Sequence, residues 1–209
     1  MKILAITAIV GAALAAAATA AAPTLTLAAS APTVVYGKSV TLTGVLSSQK
    51  TNQQITLQEQ PCGKTTFTRA GNVKTTTGGN YSLAQTPVVN TVYQAKWKGT
   101  VSSKVTVNVK PLLELKKVAR GSYTAKVTAG MDLKGKAILF QRYSKTKKRW
   151  VQVKRIILTT FTAGPSKPTM VDSVNFKAKV ARRTRVRMSI GKLQAAPCYV
   201  AAVSKSFRA

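Results

Sequence analysis

From Pro87 to Trp97 the chain reads Pro-Val-Val-Asn-Thr-Val-Tyr-Gln-Ala-Lys-Trp, and its side chains alternate in character with a period of two. Thr91, Tyr93, Ala95 and Trp97 fall on one face and Val92, Gln94 and Lys96 on the other, the pattern of a strand covered on one side. A strand needs partners, and β-forming runs flank this one. Thr24 to Ala28 is expected as a short first strand, and Ser30 to Gly37 turns the chain through Pro32 and Gly37. Ser39 to Leu46 follows, with Val40, Leu42 and Gly44 on one face, then Gln54 to Gln60, with Ile55 and Leu57 inward. Asn72 to Thr77 and Tyr81 to Thr86 flank Gly78-Gly79-Asn80, which predicts a tight hairpin. Val101 to Val109 closes the sheet. Tyr81, Tyr93 and Trp97 are assigned to core and corner positions rather than to an open stacking platform, because Tyr93 and Trp97 share their strand's apolar face.

Beyond Pro111 the pattern repeats. Leu112 to Val118, Tyr123 to Thr128, Lys136 to Tyr143, Trp150 to Thr159, Val171 to Val180, Arg183 to Ile190 and Tyr199 to Phe207 are strand candidates separated by turn-rich gaps. That count suits a β-sandwich. Val174, Phe176, Ala178 and Val180 form one inward stripe, and Thr184, Val186, Met188 and Ile190 another. The expected organisation is a secretory signal over residues 1–20, a sandwich over 24–109, a short linker at 110–111 and a second, strongly basic sandwich over 112–209. A two-residue linker leaves little freedom, so the pair is expected to sit end to end as a rod.

Three runs carry a family resemblance: Val35-Tyr-Gly-Lys-Ser-Val-Thr-Leu-Thr-Gly44, the Asn90-Thr-Val-Tyr-Gln-Ala-Lys-Trp97 strand and Ser103-Lys-Val-Thr-Val-Asn-Val109. They resemble the immunoglobulin-like modules of secreted bacterial proteins, those of actinobacteria in particular. The likeness covers roughly residues 24 to 109, and Lys136 to Tyr143, Trp150 and Pro197-Cys198-Tyr199 resemble, more weakly, a second such module. The resemblance implies an all-β fold of two tandem immunoglobulin-like antiparallel β-sandwiches. It implies little about function, because this scaffold hosts unrelated activities.

Charge narrows the function. The net charge is +29, from 33 Lys and Arg against 4 acids, so the chain is drawn to polyanions. The excess is uneven: residues 1–111 hold ten basic residues and one acid, residues 112–209 twenty-three and three. The second half is therefore the expected contact surface. Arg183, Arg185 and Arg187 alternate with the inward stripe, which would set three guanidinium groups about 7 Å apart on one strand face. Each can offer two-pronged hydrogen bonds to phosphate or carboxylate. Lys145, Lys147, Lys148 and Arg149 add a basic loop beside Trp150, and Lys177 and Lys179 add a row outside the Val174 stripe. Two readings of these cations stay open, a polyanion contact and a solvated face that keeps an edge from aggregating. Sequence-specific nucleic-acid recognition is not expected, since no recognition helix, RNA-binding sheet motif or finger spacing accompanies the charge.

With no histidine, two cysteines and scattered carboxylates, neither a metal site nor a cofactor is expected. The abundant serines and lysines form no catalytic motif, so no catalytic residue is assigned; a Ser–Lys hydrolase and a Lys–Asn self-crosslink remain remote alternatives. Asn80-Tyr81-Ser82 matches a glycosylation sequon and is read as coincidence.

Met1-Lys2 and the apolar, alanine-rich run to Ala22 are the cationic start and core of a secretory signal, with cleavage expected after Ala20 and a retained anchor as the alternative. The mature chain is then expected to be secreted, free or associated with the cell surface, with no transmembrane segment. In an immunoglobulin-like tandem the loop after the first module's third strand faces the next module, and the loop before that module's last strand faces back. Cys62 and Cys198 occupy those two loops, so an interdomain disulfide is expected, with free or intermolecular thiols as the alternatives. The expected function is a non-enzymatic module pair binding an anionic polymer, a cell-envelope glycopolymer rather than nucleic acid; a structural subunit or spacer capable of homo-assembly is the alternative.

Overall fold

The computed structural model describes residues 22–166 and 168–209; the secretory signal expected over residues 1–20 lies outside them. In chain order the first half forms β1 (Ala28–Ala29), β2 (Thr33–Val35), β3 (Val40–Val45), β4 (Gln54–Pro61), β5 (Thr68–Lys74), β6 (Asn80–Gln85), β7 (Thr91–Trp97), β8 (Thr100–Val101) and β9 (Val105–Lys110). The second half forms β10 (Leu112–Ala119), β11 (Ser122–Ala129), β12 (Ala137–Ser144), β13 (Arg149–Ile157), β14 (Thr162–Ala163), β15 (Met170–Lys177), β16 (Arg185–Ile190), the short helix α1 (Lys192–Ala195), β17 (Ala202–Val203) and β18 (Phe207–Arg208). These strands make two tandem immunoglobulin-like β-sandwiches.

In the first half a sheet of order β1-β3-β6 faces one of order β2-β9-β7-β4-β5, to which β8 adds at the end of β7. Alternation along β7 runs as the sequence demands: Thr91, Tyr93 and Ala95 are buried, and Lys96 is exposed. Val40 and Leu42 of β3, Ile55 and Leu57 of β4 and Val107 and Val109 of β9 complete this core. Tyr81 and Tyr93 are buried within it, and Trp97 is half-buried with the Lys98 ammonium 4.8 Å from its ring centroid. The second half repeats the plan, with β10-β11-β15-β14 facing β13-β12-β16-β17 and β18 also paired to β16. Tyr123, Phe140 and Phe176 meet across its two sheets with ring centroids 4.8 to 5.6 Å apart. Such pairing adds to what burial alone contributes.

Four local expectations are corrected. Gly78-Gly79-Asn80 does not close a hairpin: β5 pairs with β4 and β6 with β3, so a single 3-10 turn at Thr77–Gly79 carries the chain from one sheet to the other. Gly79 has φ +74° and lies against the Leu46 carbonyl where a Cβ would stand, so the glycine serves a crossover rather than a turn between paired strands. Thr33–Val35, expected within a turn, pairs with β9 in parallel. Arg183 is not in a strand: it takes φ +59° in the turn before β16, so the expected row of three becomes two strand arginines and one turn arginine. Tyr199 to Phe207 is not one strand but β17 and β18, separated where the Ser204 hydroxyl accepts the Met188 N–H and donates to the Lys205 carbonyl.

Pro111, buried, is the residue between β9 and β10. The halves are clamped at this joint. Cys62 and Cys198 form a disulfide with Cα atoms 5.3 Å apart, across 136 residues of chain. Asn90 lies beneath it: its N–H donates to the Cys198 carbonyl at 2.9 Å, its carbonyl accepts from the Cys62 N–H at 2.8 Å, and its side-chain oxygen accepts the Val109 N–H at 2.8 Å. Val200 N–H donates to the Val109 carbonyl at 3.0 Å. The Tyr199 hydroxyl accepts from Gly130 N–H at 2.8 Å and donates to the Val88 carbonyl at 3.0 Å. These bonds engage main-chain groups that would otherwise be stranded between two sandwiches.

Candidate anion-binding pole

The register of the second half places its three carboxylates, among lysines such as Lys126 and Lys134, away from its densest group of cations. Glu114 pairs across from Lys126, and Asp172 from Val127, in the part of their sheet nearer the joint. Asp132 follows β11, whose end reaches the joint through Gly130. All three carboxylates are already engaged: Glu114 with Lys126 Nζ at 3.5 Å, Asp172 with Thr160 N–H at 3.1 Å and Asp132 with Lys134 N–H at 2.7 Å. Lys116, Lys117, Arg120 and Lys177 mark the opposite end, where the β12–β13 hairpin and the turn into β16 also lie. The pole far from the joint is cationic.

Its most closely contacted part is the outer face of β12, β13 and β16. Antiparallel pairing sets Gln141 opposite Arg187 and Tyr143 opposite Trp150. The Arg187 guanidinium carbon stands 4.2 Å from the Trp150 ring centroid, and its Nε donates to Gln141 Oε1 at 2.9 Å. Arg185 approaches the same ring at 5.9 Å and donates from Nη2 to Ser206 Oγ at 2.8 Å. Tyr143 meets Trp150 edge-on at 5.6 Å. Cation–π contact and a hydrogen bond together fix each arginine before any ligand arrives. Partial burial of Arg187 pushes its pKa below the usual guanidinium value. Trp150 is thus a support covered by arginine, not an open stacking platform.

The nine cations singled out in the sequence separate into groups. Arg183, Arg185 and Lys145 come together with Arg142, Arg182 and Arg208 around a cavity of about 480 Å³. Arg187 sits beside them on the Trp150 face, whereas Lys147, Lys148 and Arg149 are exposed along the hairpin. Lys177 and Lys179 belong to the facing sheet, at and just beyond the end of β15, so they do not share the Arg185 face. Arg142, Arg182 and Arg208 were missed. Arg182 adjoins the singled-out Arg183, but Arg208 reaches the site only because β18 returns to pair with β16, a long-range contact with no local signature.

Among the described residues, no cluster of three or more His, Cys, Asp or Glu is poised to hold a metal ion, and no helix is long and apolar enough to cross a membrane. No protein-family model matches the chain. No curated protein matches it either. In structure it is similar to the tetra-tandem repeat in the extending region of a large adhesion protein, with a TM-score of 0.34 and 11% identity over 90% of this chain and 49% of that one. The chain thus spans about half the length of that solved structure.

Proposed function

We propose that this is a secreted, non-enzymatic pair of immunoglobulin-like modules, divided at residues 110–111, whose second module binds anionic polymers of the cell envelope or its surroundings. The observation that carries the reading is a cavity at the pole far from the joint lined by five arginines and a lysine and by no Asp or Glu, while the three carboxylates of that half are spent locally elsewhere. Binding would proceed by multipoint charge neutralisation with release of counterions, so affinity falls as salt rises. An extracellular address, for which a disulfide is at home, favours an envelope glycopolymer over nucleic acid as the partner.

The test is a salt titration of retention on isolated envelope polymer, run beside duplex DNA. Retention on the polymer should survive salt that strips DNA. Replacing Arg185 and Arg187 with serine should lower the steepness of the salt dependence by roughly two contacts' worth, on the order of 1.5 in the log–log slope. Equal release from both polymers at moderate salt, or a variant indistinguishable from the parent, would defeat the proposal. Circular dichroism guards against misfolding, since Arg187 also covers Trp150.

A further inference from the structure

The two sandwiches present equivalent poles, and they use them differently. The strand orders match: β9, β7, β4 and β5 in the first half correspond to β18, β16, β12 and β13 in the second. In the first half the pole at the start of β7, with the loop after β4, holds the neighbouring module through Asn90, Val88 and Cys62. The corresponding pole of the second half comprises the β12–β13 hairpin, the turn into β16 and the end of β18. It carries Arg142, Lys145, Arg182, Arg183, Arg185 and Arg208 around one cavity, and no Asp or Glu is among the lining residues.

That lining is costly as it stands. Arg185 and Arg208 are directly paired across β16 and β18, and like charges opposite one another on antiparallel strands repel. The turn carrying Arg182 and Arg183 is held against them by main-chain bonds, with Arg183 N–H donating to the Ala209 carbonyl at 3.0 Å and Ala209 N–H to the Thr184 carbonyl at 2.9 Å. The one ion pair among the described residues, Lys126 with Glu114, lies on the other sheet. No Asp or Glu side chain lines the cavity to relieve the repulsion here.

We infer that this cavity is a discrete site for a tetrahedral oxyanion, the phosphate or sulfate ester of an extracellular polymer. Cations reach it from three separate stretches of chain, residues 142–145, 182–185 and 208. A tetrahedral group with oxygens on several sides can accept from all three, whereas a planar carboxylate presents two oxygens in one direction. Five of the six cations are arginines, whose forked donors suit multi-oxygen anions. A volume of about 480 Å³ takes more than a bare ion, and admits an ester group with part of its carrier. The inference rests on the polymer-binding reading only for what carries the ester.

The experiment titrates the full chain by calorimetry with pyrophosphate, sucrose octasulfate and citrate at about 0.15 M salt. The expected result is one saturable site for at least one of the two tetrahedral oxyanions, with citrate weaker by roughly tenfold or more. The tighter of the pair tells phosphate from sulfate. The double variant R182S/R208S should lose the site, and K177S/K179S on the facing sheet should keep it. Because R208S removes a like-charge pair, thermal melting of the double variant should show no loss of stability, which separates a lost site from a lost fold. Citrate binding as tightly as the oxyanions, the site surviving in R182S/R208S, or its equal loss in K177S/K179S would overturn the inference. A site lost in R182S/R208S while envelope polymer is retained unchanged would sustain the pocket and count against the polymer's use of this pole. Polymer binding that fails altogether, with the small-anion site intact, would sustain the pocket and defeat the broader reading.

Discussion

The two halves of this protein are built on one plan, and the difference that bears on function lies at one pole. Both close their larger sheet with the same device. In the first half Ser102 Oγ accepts the Ala95 N–H at 2.9 Å and donates to the Ser103 carbonyl. In the second, Ser204 Oγ accepts the Met188 N–H at 2.9 Å and donates to the Lys205 carbonyl. Each serine lets the last strand step away from its neighbour and rejoin it without stranding a buried N–H. What diverges is the pole described above, apolar and hydrogen-bonding where the first half holds the second, cationic at the corresponding place in the second half. The exchange leaves the inward rows of both sandwiches in place, Tyr93 and Ala95 along β7 and Val186 and Met188 along β16.

The comparison is broken most severely at the joint. Replacing Cys62 and Cys198 with serine frees a closure spanning 136 residues, which in the chain-entropy account costs about 5 kcal/mol. Chemical denaturation of the oxidised chain should give one transition, and of the C62S/C198S variant two, the halves unfolding separately at lower denaturant. An unchanged single transition would mean that Asn90, Tyr199 and Val200 couple the sandwiches without the clamp.

Strand periodicity made the cores legible. Tyr93, Ile55, Leu57, Phe176, Val186 and Met188 are inside because an alternating strand has nowhere else to put them. The disulfide was legible too, but only through the architecture that the resemblance implied, since spacing alone says nothing about which loops face each other. The site was half legible. Arg185 and Arg187 follow from alternation along β16, yet Arg183 leaves the row through a left-handed turn conformation that an arginine adopts reluctantly. Arg208 enters by a pairing that depends on the serine device upstream. Lys177 and Lys179 show the converse limit: two basic rows of one domain can lie on different sheets, and a sequence does not say which.

The serines sharpen the comparison. If the halves truly share a device, Ser102→Ala and Ser204→Ala should cost similar amounts, about 1–3 kcal/mol each, because each leaves a strand N–H buried without its acceptor. Thermal melts of the two variants would check this. A large cost in one half and none in the other would make the likeness geometric only.

The smallest effect concerns a hydroxyl with no counterpart. The Tyr81 hydroxyl donates to the Thr26 carbonyl, and the Tyr199 hydroxyl bonds both halves of the joint. The Tyr93 hydroxyl is buried and finds no partner among the described residues. Burial pushes the pKa of Tyr81 and of Tyr199 up to about 12. It pushes Tyr93 up as well, with the nearby Glu59 charge adding to the effect. A tyrosine whose folded pKa lies above its unfolded value contributes fully below about pH 10, and that contribution is lost as pH rises towards the folded value. Tyr93→Phe removes both an unpaired polar atom and one such titrating group. It should therefore be neutral or stabilising by up to about 1 kcal/mol at neutral pH, and its advantage over the parent should widen above pH 10. Melting temperatures of parent and variant between neutral pH and about pH 11 would show it. A variant less stable than the parent at both ends would mean that the hydroxyl is satisfied after all, by water held in the first core and not in the second.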